Sequence, residues 1–225
     1  MSLFKNKGLF NKSGNSVSWS KSSKIILPSD YEVLHKQIPK GYGCPPDAAD
    51  YRMINGSTYA YLLTYQVTEK ESIPFDDINA VIAEMRGYLD ENNGLIEVKN
   101  GTTKNNGKYV YILKKMLKEP TLELPSQMMY IINMNVQIGN TNQFINATFE
   151  EIGSTGMREA VVMEIAMREG KVGSQMNGWT CDPYDPKFTK GFLMNLSEDE
   201  KYDQMFIHHP LTEARRLAKF VAGMN

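Results

Sequence analysis

An α+β fold, built on an antiparallel β-sheet covered by helices, is what the sequence predicts, and three observations carry that reading. Several runs alternate apolar and polar residues with the period of two that marks a strand. Two segments switch to the 3.6-residue period of an amphipathic helix. Loops are short and no alternating β-α-β units of the length that parallel crossovers require appear, which leaves antiparallel pairing.

Taken in order, the first 23 residues are Ser, Asn, Gly and Lys with scattered aromatics and read as a basic arm. Leu3, Phe4, Leu9, Phe10 and Trp19 interleave with Lys5, Lys7, Lys12 and Lys21, a pattern suited to docking on an acidic partner or a membrane surface; a poorly packed terminus is the plainer reading. A sheet domain is expected over 24–172. It begins with "KIILPSDYEVL", a short strand broken by Pro28, and a loop "PKGYGCPPDAAD" whose glycines and prolines forbid helix. In "STYAYLLTYQV", Tyr59, Tyr61, Leu63, Tyr65 and Val67 share one face. A helix follows over 74–93, with Ile78, Val81, Ile82, Met85 and Leu89 on one side, Asp76 and Asp77 at its start, and "NNG" at its end. Two strands flank Asn100-Gly101 and Asn106-Gly107, which are hairpin signals. A strand over 128–138 has Met128, Tyr130, Ile132, Met134, Val136 and Ile138 on one buried face, and "QFINATFEEI" is the next. Thr155-Gly156 then opens a helix over 157–169, with Ala160, Val161, Ile165 and Met167 available to pack.

This order, with "FINATFEEIGSTGMREAV" running from a strand through a Gly turn into a helix, resembles the PsbP-like fold over residues 24–170. That family includes the photosystem oxygen-evolving subunit and the import factor that releases nucleotide from Ran. The resemblance implies an α/β/α sandwich and a binding role, since such proteins are mostly adaptors and stabilisers. It carries no binding residue over to a numbered position.

A C-terminal helical extension, 173–225, lies beyond the resemblance and is expected to pack on the domain or on a partner. Ser197 to Glu200 reads as an S-x-x-E capping box starting a short helix through Phe206, and a last helix puts Leu217, Phe220, Val221 and Met224 on one face. Trp179, Tyr184, Phe188 and Phe192 are candidate contact residues, either anchors on the domain or hot spots for a partner. Arg215 and Arg216 read as a solvated helix face with anion contact as the minor option.

Composition narrows the function classes. With 225 residues, 41% apolar and 23% charged, the chain is an ordinary globular protein. A net charge of −1 supplies no overall field toward nucleic acid. No stretch of about 18 apolar residues spans a bilayer, and the N-terminal residues lack the continuous apolar segment that a secretory signal needs. Cys44 and Cys181 read as free thiols, hence a cytoplasmic location.

The stretch "CDPYDP" with His208 and His209 brings Cys181, Asp182 and Asp185 into view as metal ligands, but one thiol without paired spacing is a poor zinc set. Pro183 and Pro186 with two turn-capping aspartates make a stiff connector the better reading. Neither cysteine has a base paired with it in sequence, and His35, His208 and His209 are the only histidines. Glu150-Glu151 and Asp76-Asp77 read as solvated, and the methionines, fourteen in all, as flexible core filling. No catalytic, cofactor or metal residue is therefore assigned. The expectation is a non-catalytic protein-binding or accessory protein with a protein partner or a second copy of itself. A component of a secretion or mobile-element apparatus, or an enzyme with a pocket between sheet and arm, are the alternatives; whether a small molecule binds is left open.

Overall fold

The computed structural model describes residues 25–39, 43–118 and 127–225. The basic arm over 1–23 lies outside them. The fold is α+β. Seven strands, β1 (Glu32–His35), β2 (Ala49–Asn55), β3 (Thr58–Val67), β4 (Asn93–Thr102), β5 (Lys108–Lys118), β6 (Gln127–Ile138) and β7 (Thr141–Glu151), form one sheet in the order β1-β2-β3-β7-β6-β5-β4. Every neighbouring pair is antiparallel. Helices α1 (Ile78–Arg86), α2 (Met157–Arg168) and α3 (Pro210–Met224) and two 3₁₀ segments, Leu196–Glu198 and Glu200–Met205, complete it. Among the described residues, no helix is long and apolar enough to cross a membrane.

Alternation along the strands sorts the two faces. Tyr111 and Leu113 of β5 join Leu62, Ile132, Met134, Ile145, Phe149 and the α3 residues Leu211, Leu217 and Val221 in one buried cluster. Val110 and Ile112, pointing the other way, pack with Val81, Ile82 and Met85 of α1. Helices therefore cover both faces, α3 the middle of one and α1 the β4 edge of the other. The register of β6 explains why its apolar face is so fully buried: Tyr130 to Val136 sits between β5 and β7 across its length.

Several elements depart from the sequence reading. Ile25, Ile26 and Leu27 form no strand; Ile25 and Leu27 pack on the α3 cluster, and among the described residues the first strand begins only after Pro28, at Glu32. β2 is not among the expected strands, and its first two residues fall in the expected loop, yet it pairs along its length with β3 through a two-residue turn. Gly56 makes that turn with φ 57°, and an added Cβ there would lie 2.7 Å from the His208 side chain. α1 is shorter than expected: it ends at Arg86, and Asn93-Gly94 already belongs to β4. Asp77 is its N-cap, accepting from the Ala80 amide. On α2 the buried stripe is Arg158, Val162 and Ala166; Ala160 and Met167 are exposed. On α3, Leu217 and Val221 are buried as expected, while Met224 is 42% exposed.

Candidate functional site

The C-terminal arm, residues 173–209, is tied to the sheet along the free edge of β4. Phe192 N–H donates to Asn93 O at 3.0 Å, and the Tyr184 hydroxyl meets both the N–H and the carbonyl of Val98. Gly94 permits the approach, since a Cβ there would sit 1.9 Å from Phe192 O. An unpaired edge strand is a template for unwanted pairing, and the arm closes this one. Within the arm, Thr180 and Asn195 form an isolated antiparallel bridge, so Trp179 and Phe192 are brought to the same end.

The "CDPYDP" stretch is held by its aspartates. Asp182 is 3% exposed and its Oδ1 accepts from the amides of Tyr184 and Asp185, both at 2.9 Å, while Arg86 ion-pairs with it from α1. Asp185 accepts from the Lys187 amide at 3.0 Å. Phe188 lies under the Arg86 guanidinium at 4.6 Å. Among the described residues no three His, Cys, Asp or Glu side chains are placed to hold a metal ion.

Arg215 is the clearest correction. It is 2% exposed, not solvated, and donates to Glu97 at 3.3 Å, Asp203 at 2.9 Å and the Glu198 carbonyl at 2.7 Å. Arg216 is half-buried and pairs with Glu213 and Asp30. Arg158 of α2, fully buried, reaches Asp203 at 2.9 Å, the carbonyls of Ser197 and Asp199, and Thr212 Oγ1. Asp203 thus bridges two arginines from two helices. The expected capping box also shifts by two residues: Asn195 and Glu198 form it, and both turns that follow are 3₁₀. Glu198 is recruited because it also meets Lys115 of β5 at 2.8 Å, with both side chains fully buried. Burial pushes the Glu198 carboxyl up, against the pull of the Lys115 ammonium and the Asn195 amide. Stranding one member of such a pair costs about 3–5 kcal/mol, so the arm is locked by charge as well as by apolar contact.

Above this layer lies a cavity of about 450 Å³ between β5–β7, the start of α2 and the arm. Trp179 and Phe192 supply aromatic wall, Phe192 with Lys115 Nζ 4.2 Å from its ring centre. Tyr130, Glu151, Glu159 and His209 supply the polar groups. Tyr130 is 1% exposed, and its hydroxyl faces Glu159 and Glu198 at 3.5 Å each. Burial, then the carboxylates of Glu198 and Glu159, hold that hydroxyl protonated far above the usual tyrosine range. Glu159 Oε2 is buried with no hydrogen-bond partner among the described residues. Glu151 accepts from the Gly156 amide at 2.9 Å; burial raises its carboxyl, the Gly156 bond opposes, and Glu159 adds to the rise.

His209 caps α3. Its Nδ1 accepts from the Leu211 amide at 3.2 Å, which puts the ring proton of the neutral imidazole on Nε2, 3.8 Å from Glu151. The ring stands edge-on to Tyr130 at 5.5 Å. Burial, followed by the charges of Arg158 and Arg215, brings its pKa down to about 3. At neutral pH it is a donor and not a base.

Outside the cavity, large apolar side chains are exposed at the β2–β3 turn end of the sheet: Ile54 at 63%, Ile152 at 41%, Met157 at 58%, Met205 at 53% and Ile207 at 60%. Hydrogen bonds join three of the segments that carry them. Ile152 N–H donates to Ser57 O, and Ser57 and Thr58 hydroxyls donate to His208 O. Glu151, Gly156 and His209 line the cavity from this same end.

The structure thus brings Trp179 and Phe192 to the cavity, places Tyr184 and Phe188 against β4 and α1, and buries Arg215 beneath. Sequence reasoning missed Tyr130, Glu151 and Glu159. Glu151 was legible in part: it follows Ile145, Ala147 and Phe149 at two-residue intervals and so points inward, while Glu150 faces Lys118 on the other side. No family model matches the chain, and no curated protein matches it.

Proposed function

We propose that this is a non-catalytic binding or accessory protein, and that the exposed apolar side chains at the β2–β3 turn end of the sheet, beside the cavity, are its contact surface for a protein partner. The exposure of Ile54, Met157, Met205 and Ile207, each more than half exposed at one end of the sheet, is the observation that carries this reading. Large apolar side chains grouped on a surface are the usual mark of an interaction site. A PsbP-like assignment of the sheet domain accords with the antiparallel sheet covered on both faces, and Cys44 and Cys181, which form no disulfide, favour a reducing, cytoplasmic setting.

The test is capture from the native cell with the parent protein and with an Ile54→Asp/Ile207→Asp variant whose melting curve matches it. A partner retained by the parent and depleted at least about tenfold by the variant supports the reading, since two hot-spot losses together exceed 1.4 kcal/mol. Identical captured sets, with both proteins monomeric, contradict it.

One observation favours a second reading, an enzyme using the cavity: a raised carboxyl, Glu151, stands beside the neutral His209. Turnover of a substrate abolished by Glu151→Gln would establish it.

A further inference from the structure

We infer that the cavity receives a lysine side chain of the partner, with its ammonium held by Tyr130, Glu151 and Glu159 and its methylene stem along Trp179. The inference rests on the reading of this end of the molecule as a protein contact surface.

Charge accounting around the cavity leads to it. Three cations lie in or beneath the floor, Lys115 lining the cavity itself, and each is engaged: Lys115 by Glu198, Arg158 by Asp203, Thr212 and two carbonyls, and Arg215 by Glu97, Asp203 and the Glu198 carbonyl. His209 contributes no charge at neutral pH. Glu151 and Glu159 are left with no Lys or Arg ion pair among the described residues. A carboxylate oxygen buried without a partner is costly, and natural structures keep few of them.

A second observation is independent of the carboxylates. The Tyr130 hydroxyl is buried, lines the cavity and, among the described residues, donates to Glu159 and Glu198, both at 3.5 Å. Good O–H···O bonds are about 2.5–3.0 Å, so these two are long, and the hydroxyl, a donor in both, has lone pairs free to accept. An ammonium has three donors and no acceptor, and the free positions here are oxygens on three residues. Trp179 adds a ring face, the side chain best suited to a neighbouring cation. A carboxylate or phosphate ligand would meet the same oxygens as repulsion.

The apolar end of the sheet and the cavity suit one occupant together: a polypeptide segment whose apolar residues cover Met157 and Ile207 and whose lysine enters beside them. Charge complementarity with the two unpaired carboxylates selects lysine over an uncharged side chain.

The experiment follows the full chain by NMR at low ionic strength while Nα-acetyl-lysine methylamide or its uncharged norleucine counterpart is added up to about 50 mM, a range that captures even millimolar binding. Saturable shifts at the Trp179 indole and Tyr130, at least about tenfold weaker for the norleucine compound and weakened as much by Glu159→Gln, are expected. Trp179→Leu, which leaves the buried charges in place, should weaken binding as well and guards against a folding defect in the glutamine variant. Equal binding of the two compounds overturns the inference and leaves the contact surface standing, as does absence of any shift while the Ile54→Asp/Ile207→Asp variant still loses its partner. Retention of the partner by that variant instead removes the reading on which the inference rests.

Discussion

The layer between the sheet and α3 excludes water in two different ways. In its middle, Leu62, Ile132, Phe149, Leu217 and Val221 are at most 1% exposed and belong to one apolar cluster. Toward the arm, Lys115, Arg158, Arg215 and Glu198 are as deeply buried, at 2% or less, and are held by ion pairs and backbone carbonyls. The apolar half is stabilised roughly in proportion to area, so a truncation costs what it removes plus the cavity it leaves. The ionic half is held by mutual dependence: each charge is tolerable only while its partners stay in place. Well-packed apolar residues would serve stability as well or better. The ionic half is the one that fixes the arm, caps α3 and floors the cavity, and geometry at that site is what the difference secures.

That contrast can be broken in order of expected size. Arg158→Met removes a cation bonded to four groups and should cost about 3–5 kcal/mol, read as a lowered urea midpoint with unchanged slope. A cost under about 1 kcal/mol would mean the ionic half is not interdependent. In the apolar half, Leu217→Ala should cost about 3 kcal/mol by the same assay, and its effect should add to that of a distant apolar truncation.

His209 adds pH dependence to the ionic half alone. Its pKa falls from 6.5 to about 3 on folding, so between those values the unfolded chain binds more protons. The neutral ring's contribution is fully present above pH 6.5 and is lost as pH falls toward 3. Urea unfolding at a series of pH values should show His209→Asn, which keeps a helix-capping oxygen, flattening the slope by up to about 1.4 kcal/mol per pH unit. Parallel profiles for parent and variant would contradict the buried neutral ring.

The smallest stability effect sharpens the comparison most. Replacing Lys115 and Glu198 together, as Lys115→Met/Glu198→Leu, should change stability by only about 1 kcal/mol, because neither charge is left stranded. A double variant as damaged as Lys115→Met alone would show that the pair does more than offset its own burial.

Much of the frame was legible in the sequence, and the failures have a common physical origin. β3, β6 and β7 announce themselves because half of each strand packs against a neighbour and the alternation survives. β2 hides because it lies next to the edge: Asp50, buried against His35 and Tyr61, and the exposed Arg52 interrupt its run, and of its large apolar side chains only Met53 is fully buried. The Asn55-Gly56 dipeptide before β3 was the signal available for it. The apolar "KII" misleads for the opposite reason, since apolarity reports burial and not pairing. "NLSEDE" contains two overlapping capping patterns, and the choice is made by Lys115, which takes Glu198, and by Lys99 and Lys219, which take Glu200. Asp182 was readable because its partners are the next amides along the chain. Arg215 was not, because its carboxylate Glu97 is 118 residues away and a buried arginine is rare without such a partner. The cavity is assembled from three strands, one helix and the arm, so no local pattern encodes it.

The central claim is that the unpaired carboxylates at the cavity are kept for contact and not for stability. Glu159→Gln tests it most directly, with melting temperature and partner capture measured on the same preparation. The account predicts that the variant melts no lower than the parent, since an uncompensated buried oxygen is removed, while the partner is lost. A variant that unfolds several degrees earlier, or that still holds the partner, would contradict it.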